Sequence, residues 1–317
     1  MTEVELARWS KDLFSVALFC YLAAMVASFA FLAFRRAPFA TASTVLGLAG
    51  LAANLGSIVT RAFAAGRTPW GNMYEYSSLV AALIVVAYLI GVERRMRIRT
   101  VGGFVYAFVV FTMAMAVSFF YVGPSALQPA LNSYWRQIHV TSMIAATSLL
   151  GIGCLFTILY LVADGAERRR VRRLGQAAPP PIMGGSIDAD APPAFVPGAD
   201  DPVASVETAQ RGALPPASTL DRLAYRFIAF GFPIWTFGVI CGAIWAQEAW
   251  ARYWGWDPKE TWSFITWVIF AGYLHARATS GWRGRKAAVI ALVGFVSLFV
   301  TYYAVNLWIS GLHSYAT

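Results

Sequence analysis

The chain is poor in charge, in histidine and in cysteine. Only 13% of its 317 residues are charged, against roughly 25% in soluble domains. With 58% hydrophobic residues and a mean hydropathy of +0.58, too little polar surface exists to cover a water-soluble fold. That excludes most soluble enzyme classes and points to a polytopic membrane protein. The three cysteines, Cys20, Cys154 and Cys241, fall inside apolar runs with no CxxC spacing. Neither a disulfide framework nor a thiol redox motif is supported, and all three read as small buried apolar residues. A cleavable signal peptide is not visible: the first apolar run, 13–34, is too long for a signal's apolar region and ends in Arg35-Arg36. Acidic residues are also scarce, 16 against 25 Lys and Arg, for a formal charge of +9. In a soluble protein that excess would suggest nucleic acid. Here it is assigned to basic residues collecting in cytoplasmic loops beside the lipid bilayer, and no nucleic-acid partner is expected.

What the chain has instead is long apolar runs. Segments 13–34, 42–61, 76–92, 100–121, 138–163, 223–246, 259–276 and 287–309 can each cross a hydrocarbon core of about 30 Å, which takes about 20 helical residues. The expected fold class is all-α, a polytopic membrane helical bundle of about eight transmembrane helices. With the N-terminus outside, the inner loops hold Arg35, Arg36, Arg94, Arg95, Arg97, Arg99, Arg168, Arg169, Arg170, Arg172, Arg173, Arg211, Arg222, Arg226, Arg277, Arg283, Arg285 and Lys286, which is 18 of the 25 basic residues. The outer segments keep Arg8, Lys11, Arg61, Arg67, Arg136, Arg252 and Lys259. The bias predicts an N-out, C-out protein of the plasma membrane.

Residues 165–220 differ from the rest: nine of the 15 prolines lie there, with almost no aromatic side chain. Such a segment cannot bury enough apolar surface to offset its ordering entropy, so it reads as a disordered cytoplasmic linker. Its basic head, Arg168 to Arg173, reads as a topology anchor or an anionic-lipid contact. The linker separates a first bundle, 1–164, with five spans, from a second unit, 221–317, with three. No internal repeat is found.

Histidine, the commonest metal ligand and a frequent one for haem iron, occurs three times: His139, His275 and His313. The topology places His139 and His313 on the outer side. Each alone reads as structural; two on one side suggest a pair, because six-coordinate haem takes two axial ligands. His275 lies near the inner end of the seventh span, about 27 Å along the helix from Asp257, so it cannot share their site. It is either a functional intramembrane group or an interfacial side chain reaching towards the basic loop.

The densest motif is external. Trp245, Trp250, Trp254, Trp256, Trp262 and Trp267 place six of the 12 tryptophans within 23 residues. An aromatic belt at the membrane surface explains two or three of them. A large flat cofactor needs flat polarisable walls, which indoles supply at low entropy cost, and a tetrapyrrole fits. Arg252 and Lys259 can meet its propionates, or pair with Glu248 or lipid headgroups. Asp257-Pro258-Lys259-Glu260 reads as a capping box with proline at its favoured position, so Asp257 either caps the seventh span or takes part in chemistry. Within the loop 67–76, Trp70, Tyr74 and Glu75 either close the site or cap the third span.

Taken together, Trp250-x-x-x-Trp254-x-Trp256-Asp257-Pro-Lys-Glu260-Thr-Trp262, the Pro69-x-x-Asn72-Met-Tyr-Glu75 loop, His139, Tyr-Leu-His275-Ala-Arg and Gly311-Leu-His313-Ser-Tyr resemble the haem-handling WWD-domain family of cytochrome c biogenesis proteins. Among its branches the chain is most similar to the CcsA/ResC-type component of the system II cytochrome c synthase. The family often has Gly after the first Trp of the motif; here it is Ala251, which bears on the local turn.

The resemblance implies a membrane subunit that carries haem b to the outer face and holds it for covalent attachment to the Cys-x-x-Cys-His motif of apocytochrome c. It implies that His139 and His313 ligate haem iron and that Trp250, Trp254, Trp256 and Asp257 belong to the domain holding the haem. His275 would be a transmembrane ligand, with a CcsB/ResB-type subunit completing the synthase. Two other classes remain open: a haem exporter or chaperone without ligase activity, and a b-type electron-transfer subunit. Three scattered histidines disfavour the second. A membrane glycan or lipid transferase, using Asp257 as an external carboxylate, is weaker still.

Overall fold

Each of the eight apolar runs forms a helix in the structure, a computed structural model that describes residues 2–125, 132–177, 214–309 and 311. The helices are α1 (Glu3–Phe34), α2 (Ala37–Ala65), α3 (Met73–Val86), α4 (Gly102–Phe119), α5 (Tyr134–Ala177), α6 (Ala217–Trp250), α7 (Pro258–Thr279) and α8 (Arg285–Phe299). Two stretches of π-helix, Ala87–Arg95 and Val300–Ala304, continue α3 and α8, and a last turn, α9 (Val305–Trp308), follows. No strand occurs among the described residues. The chain is a polytopic membrane helical bundle: seven of these helices are long and apolar enough to cross a membrane. The other, α7, has 22 residues, about 33 Å of helix, but carries Lys259, Glu260, His275 and Arg277.

Local chemistry sets the helix ends. Thr2 and Glu5 form a reciprocal capping box at the start of α1, and Asn72 caps α3 by accepting the Glu75 amide at 2.9 Å. The π-helical turn at Val300–Ala304 carries Thr301 and Tyr302, two side chains of the cavity described below. Single-turn π segments commonly mark functional sites.

Antiparallel pairs build the bundle. In α1 against α2, Ser10 meets Ser57, with each hydroxyl donating to the other's carbonyl at 3.0 and 2.7 Å, and Ser28 meets Ser43 at 2.6 Å. Asn54 on α2 joins Ser78 on α3 at 2.7 and 3.2 Å. Inside an apolar bundle, small residues let backbones approach and paired hydroxyls or amides tie the helices together.

The most extensive helix pair is α5 with α6. Along it, Gly153 faces Ile228, Gly231 faces Leu149 and Leu150, Gly238 faces Met143 and Gly242 faces His139. These pairs fix the antiparallel register and bring the start of α5 beside the end of α6.

At the opposite, arginine-rich end, Arg277 grips Asp221 through two hydrogen bonds of 2.8 and 3.0 Å, and Asp164 joins Arg168 and Arg285 at 3.0 and 2.7 Å. Glu167 accepts the Ala217 amide at 2.9 Å, so the two ends of the linker are pinned to one another. Within the 165–220 segment, α5 runs on to Ala177 and α6 starts at Ala217. Residues 178–213 lie outside the described residues.

Candidate functional site

The end of the bundle opposite those ion pairs holds a cavity of about 1110 Å³ of empty space, the open solvent at its mouth included. The loop before α3 supplies Trp70, α5 supplies Arg136 and His139, and α6 supplies Trp235, Gly242 and Trp245. Trp250 ends α6, Trp254 comes from the tryptophan-rich loop and Lys259 from the start of α7, while Leu298, Thr301 and Tyr302 close the far wall.

Of the residues singled out in the sequence, Trp70, His139, Trp245, Trp250, Trp254 and Lys259 therefore share one cavity. Their rings pack on one another: Trp245 lies 5.1 Å from Trp250, and the His139 imidazole lies nearly parallel to Trp245, 6.2 Å between centroids at 25°.

His139 is held closely. Its Nδ1 lies 2.7 Å from the Gly238 carbonyl. A carbonyl only accepts, so Nδ1 carries the proton, and in the neutral ring Nε2 carries the lone pair. That is the arrangement of a metal-binding histidine, oriented through its other nitrogen.

Glu260 also lines the cavity, whereas Asp257, Trp256, Arg252, Trp262 and His275 are not on its wall. Asp257 is buried and caps α7, its carboxylate facing the Lys259 amide, while Glu260 accepts the Asp257 amide at 3.1 Å. Trp256 adopts a left-handed backbone (φ 57°) and is 65% exposed, packed edge-on against Trp254 at 5.8 Å. The Arg252 guanidinium folds over Gly255, in the space a Cβ would fill there. Trp262 sits in the first turns of α7 and is not among the cavity-lining residues. His275 is exposed near the other end of α7. His313 lies outside the described residues, but Gly311 passes over the α7 cap, where a Cβ would come 2.7 Å from the Asp257 carboxylate.

Trp235, Asn306 and Tyr302 were not anticipated as site residues. Trp235 is buried, lines the cavity, and donates Nε1–H to the Ser263 carbonyl at 3.2 Å, locking α6 to α7. Asn306 accepts the Lys259 ammonium at 2.8 Å. Tyr302 shares a hydrogen bond with Ser77 at 2.7 Å. The Trp70 loop is anchored by Glu75, whose carboxylate meets Arg61 and Arg67, each at 2.8 Å, and the Gly71 amide at 2.7 Å. Tyr74 points away from the cavity, against Phe14 (4.8 Å) and under the Arg61 guanidinium (4.7 Å).

Comparisons with known proteins bear on the family and the fold. A family model described as cytochrome C assembly protein matches residues 70–313. Proteins described as cytochrome c biogenesis protein CcsA are similar over most of their length. That of Nostoc sp. is 38% identical over 320 residues, 86% of this chain and 89% of the relative. That of Gloeobacter violaceus is 38% identical over 322 residues, 89% of each. Among solved structures, the protein described as Cytochrome c Heme Lyase CcmF has the same fold, with a TM-score of 0.64 at 16% identity over 96% of this chain. The chain spans 47% of the length of that structure.

Proposed function

The chain belongs to the cytochrome c assembly protein family and is of the CcsA type, and from that premise we propose that it is the membrane subunit of a cytochrome c synthase, holding haem for covalent attachment to apocytochrome c. Its place in cytochrome c maturation and its multi-pass membrane character are the starting points. Haem is its cargo and substrate.

The observation that carries the reading is the indole-walled cavity containing His139, with Nδ1 on a backbone carbonyl and the lone pair therefore on Nε2. A flat aromatic ligand suits walls built from Trp70, Trp245, Trp250 and Trp254. The polar groups suit one that carries carboxylates. Lys259 presents an ammonium beside Asn306, and the Trp70 indole N–H is buried with no hydrogen-bond partner among the described residues. Haem b satisfies both requirements. His313 is the proposed second iron ligand, on the segment that passes Gly311 over the α7 cap.

In this reading the cavity lies at the outer face of the plasma membrane, with both termini outside. Haem arrives by way of His275 and a CcsB/ResB-type partner. His139 and His313 hold the iron, and the indoles fix the plane of the ring. An apocytochrome then presents its Cys-x-x-Cys-His motif. Each thiol adds across one vinyl group, one vinyl carbon taking the sulfur and the other the hydrogen, so the addition involves no net oxidation or reduction. Such a reaction needs orientation more than a strong nucleophile, and positioning alone can contribute about 7–11 kcal/mol. The cavity accordingly presents a binding constellation rather than a triad. Asp257 and Glu260 serve the chemistry by fixing where α7 starts and hence how Trp254 and Lys259 face the cavity.

The test is spectroscopic. The complex purified from haem-replete cells should show bound haem, and the His139→Ala, His313→Ala double variant should lose its characteristic spectrum together with covalent cytochrome c formation. A double variant with unchanged haem and unchanged product would reject the assignment.

A further inference from the structure

We infer that Gly238 and Gly242 are positioning residues for the iron-binding nitrogen of His139: α6 presents a carbonyl and a side-chain-free notch that together set which nitrogen faces the ligand and where the ring lies. The inference rests on the reading that His139 binds haem iron, and goes beyond it by assigning the ring's geometry to two glycines on a neighbouring helix.

Two contacts carry it. The first is the Gly238 carbonyl, 2.7 Å from Nδ1, which places the neutral ring's lone pair on Nε2. The second is the bare Cα of Gly242. A Cβ there would lie 2.7 Å from both Nδ1 and Cε1 of His139, too close for any side chain. Moving the ring aside would break or lengthen the carbonyl bond and change its position against Trp245, whose ring centroid lies 6.2 Å away. At Gly238 the obstacle is softer, since a Cβ would meet the flexible Met143 thioether at 2.7 Å. Gly242 is therefore the sharper probe.

A simpler account is that Gly-x-x-x-Gly spacing merely lets two apolar helices pack. Gly231 separates the two accounts. It lies on the same seam, where a Cβ would come 3.1 Å from Leu149 and Leu150, but eleven residues, about 16 Å, from Gly242.

The experiment uses the full chain purified in detergent from haem-replete cells. It records accumulation, haem per chain and the positions of the reduced absorption bands for wild type, G242A, G231A, H139A and the H139A/G242A double variant. The expected result is that G242A shifts the bands and retains haem roughly tenfold or more weakly, the range seen when a metal ligand loses its orienting partner. G231A should keep the wild-type bands, and the double variant should match H139A alone. Should G242A fail to accumulate, H139A is expected to restore it, because the obstructing atoms belong to the imidazole. The inference is overturned by a G242A spectrum like wild type, by a G231A shift equal to that of G242A, or by a G242A defect that persists undiminished without the ring. A wild-type spectrum in H139A would sink the site reading itself, whereas a changed H139A beside an unchanged G242A sinks only the role of the glycines.

Discussion

The Glu260 carboxylate accepts the backbone amide of Gly255 at 2.8 Å, so the first turn of α7 grips the tryptophan-rich loop that precedes it. The same oxygen accepts the Asp257 amide at 3.1 Å. Two amides near the cavity thus depend on one buried carboxylate. Glu260→Ala removes two hydrogen bonds to a charged group, each worth about 1.5–3 kcal/mol, and should cost roughly 3–6 kcal/mol. Glu260→Gln keeps a capping-box acceptor and should recover much of that. The check is thermal stability in detergent alongside haem content.

Asp257 separates capping from chemistry more sharply. Asparagine caps helices about as well as aspartate, whereas alanine loses roughly 1 kcal/mol. If Asp257 acts through the cap, Asp257→Asn should support near-normal haem retention and cytochrome c formation and Asp257→Ala should lower both. Equal loss in the two variants would give the carboxylate charge a direct part in the reaction.

Ala251 ends α6 with a left-handed backbone, φ 55°, where the family pattern often has glycine. A left-handed residue with a Cβ costs about 1–2 kcal/mol, and glycine is the usual occupant of such helix ends. Ala251→Gly should therefore raise stability by roughly 0.5–1 kcal/mol after allowing for the greater freedom of glycine in the unfolded chain. A lower melting temperature in detergent would contradict this.

Glu75 shows how such a site is supported from outside its own walls. Its side chain is fully buried between Arg61 and Arg67, so removing it leaves two guanidinium groups without their carboxylate, with backbone carbonyls such as those of Val122 and Ser125 as their remaining acceptors. Breaking a buried pair in this way costs about 3–5 kcal/mol, and Glu75→Ala should prevent normal accumulation. Arg67→Ala should be milder, because Glu75 keeps Arg61 and the Gly71 amide. Immunoblot levels of the two variants in isolated membranes provide the comparison.

How much of this could be read from the sequence follows from the range of each interaction. Helices were legible because apolar runs and arginine-rich loops are local signals. The α7 cap was legible because Asp257, Pro258 and Glu260 interact within three residues. The meeting of His139 with the tryptophan wall followed from placing both on one side of the membrane. Glu75 was different: its partners Arg61 and Arg67 lie in other elements, and no spacing rule joins them. Trp256 reads as equal to Trp254, yet a left-handed backbone at 256 turns it outward. Helix α5 continues past 164 to Ala177 because Asp164 and Glu167 find partners on other elements, which composition does not reveal. The Gly238 and Gly242 pair did leave a signal, a four-residue glycine spacing in an apolar helix, but nothing in that spacing says that a histidine fills the notch.

His275 poses the last test. It stands exposed on α7, about 27 Å of helix from Asp257, and contributes nothing to the cavity wall. A ligand so placed on the outer surface of the bundle has room for a second protein's side chain beside it. On the proposed function it meets haem together with a partner histidine before the haem reaches His139. His275→Ala should then lower the haem carried by the partner-bound complex severalfold, while haem supplied directly to the purified chain should still bind in the cavity with wild-type bands. A complex holding the same haem with and without His275 would make that residue an interfacial side chain, and the route of haem to the cavity would have to run through other groups.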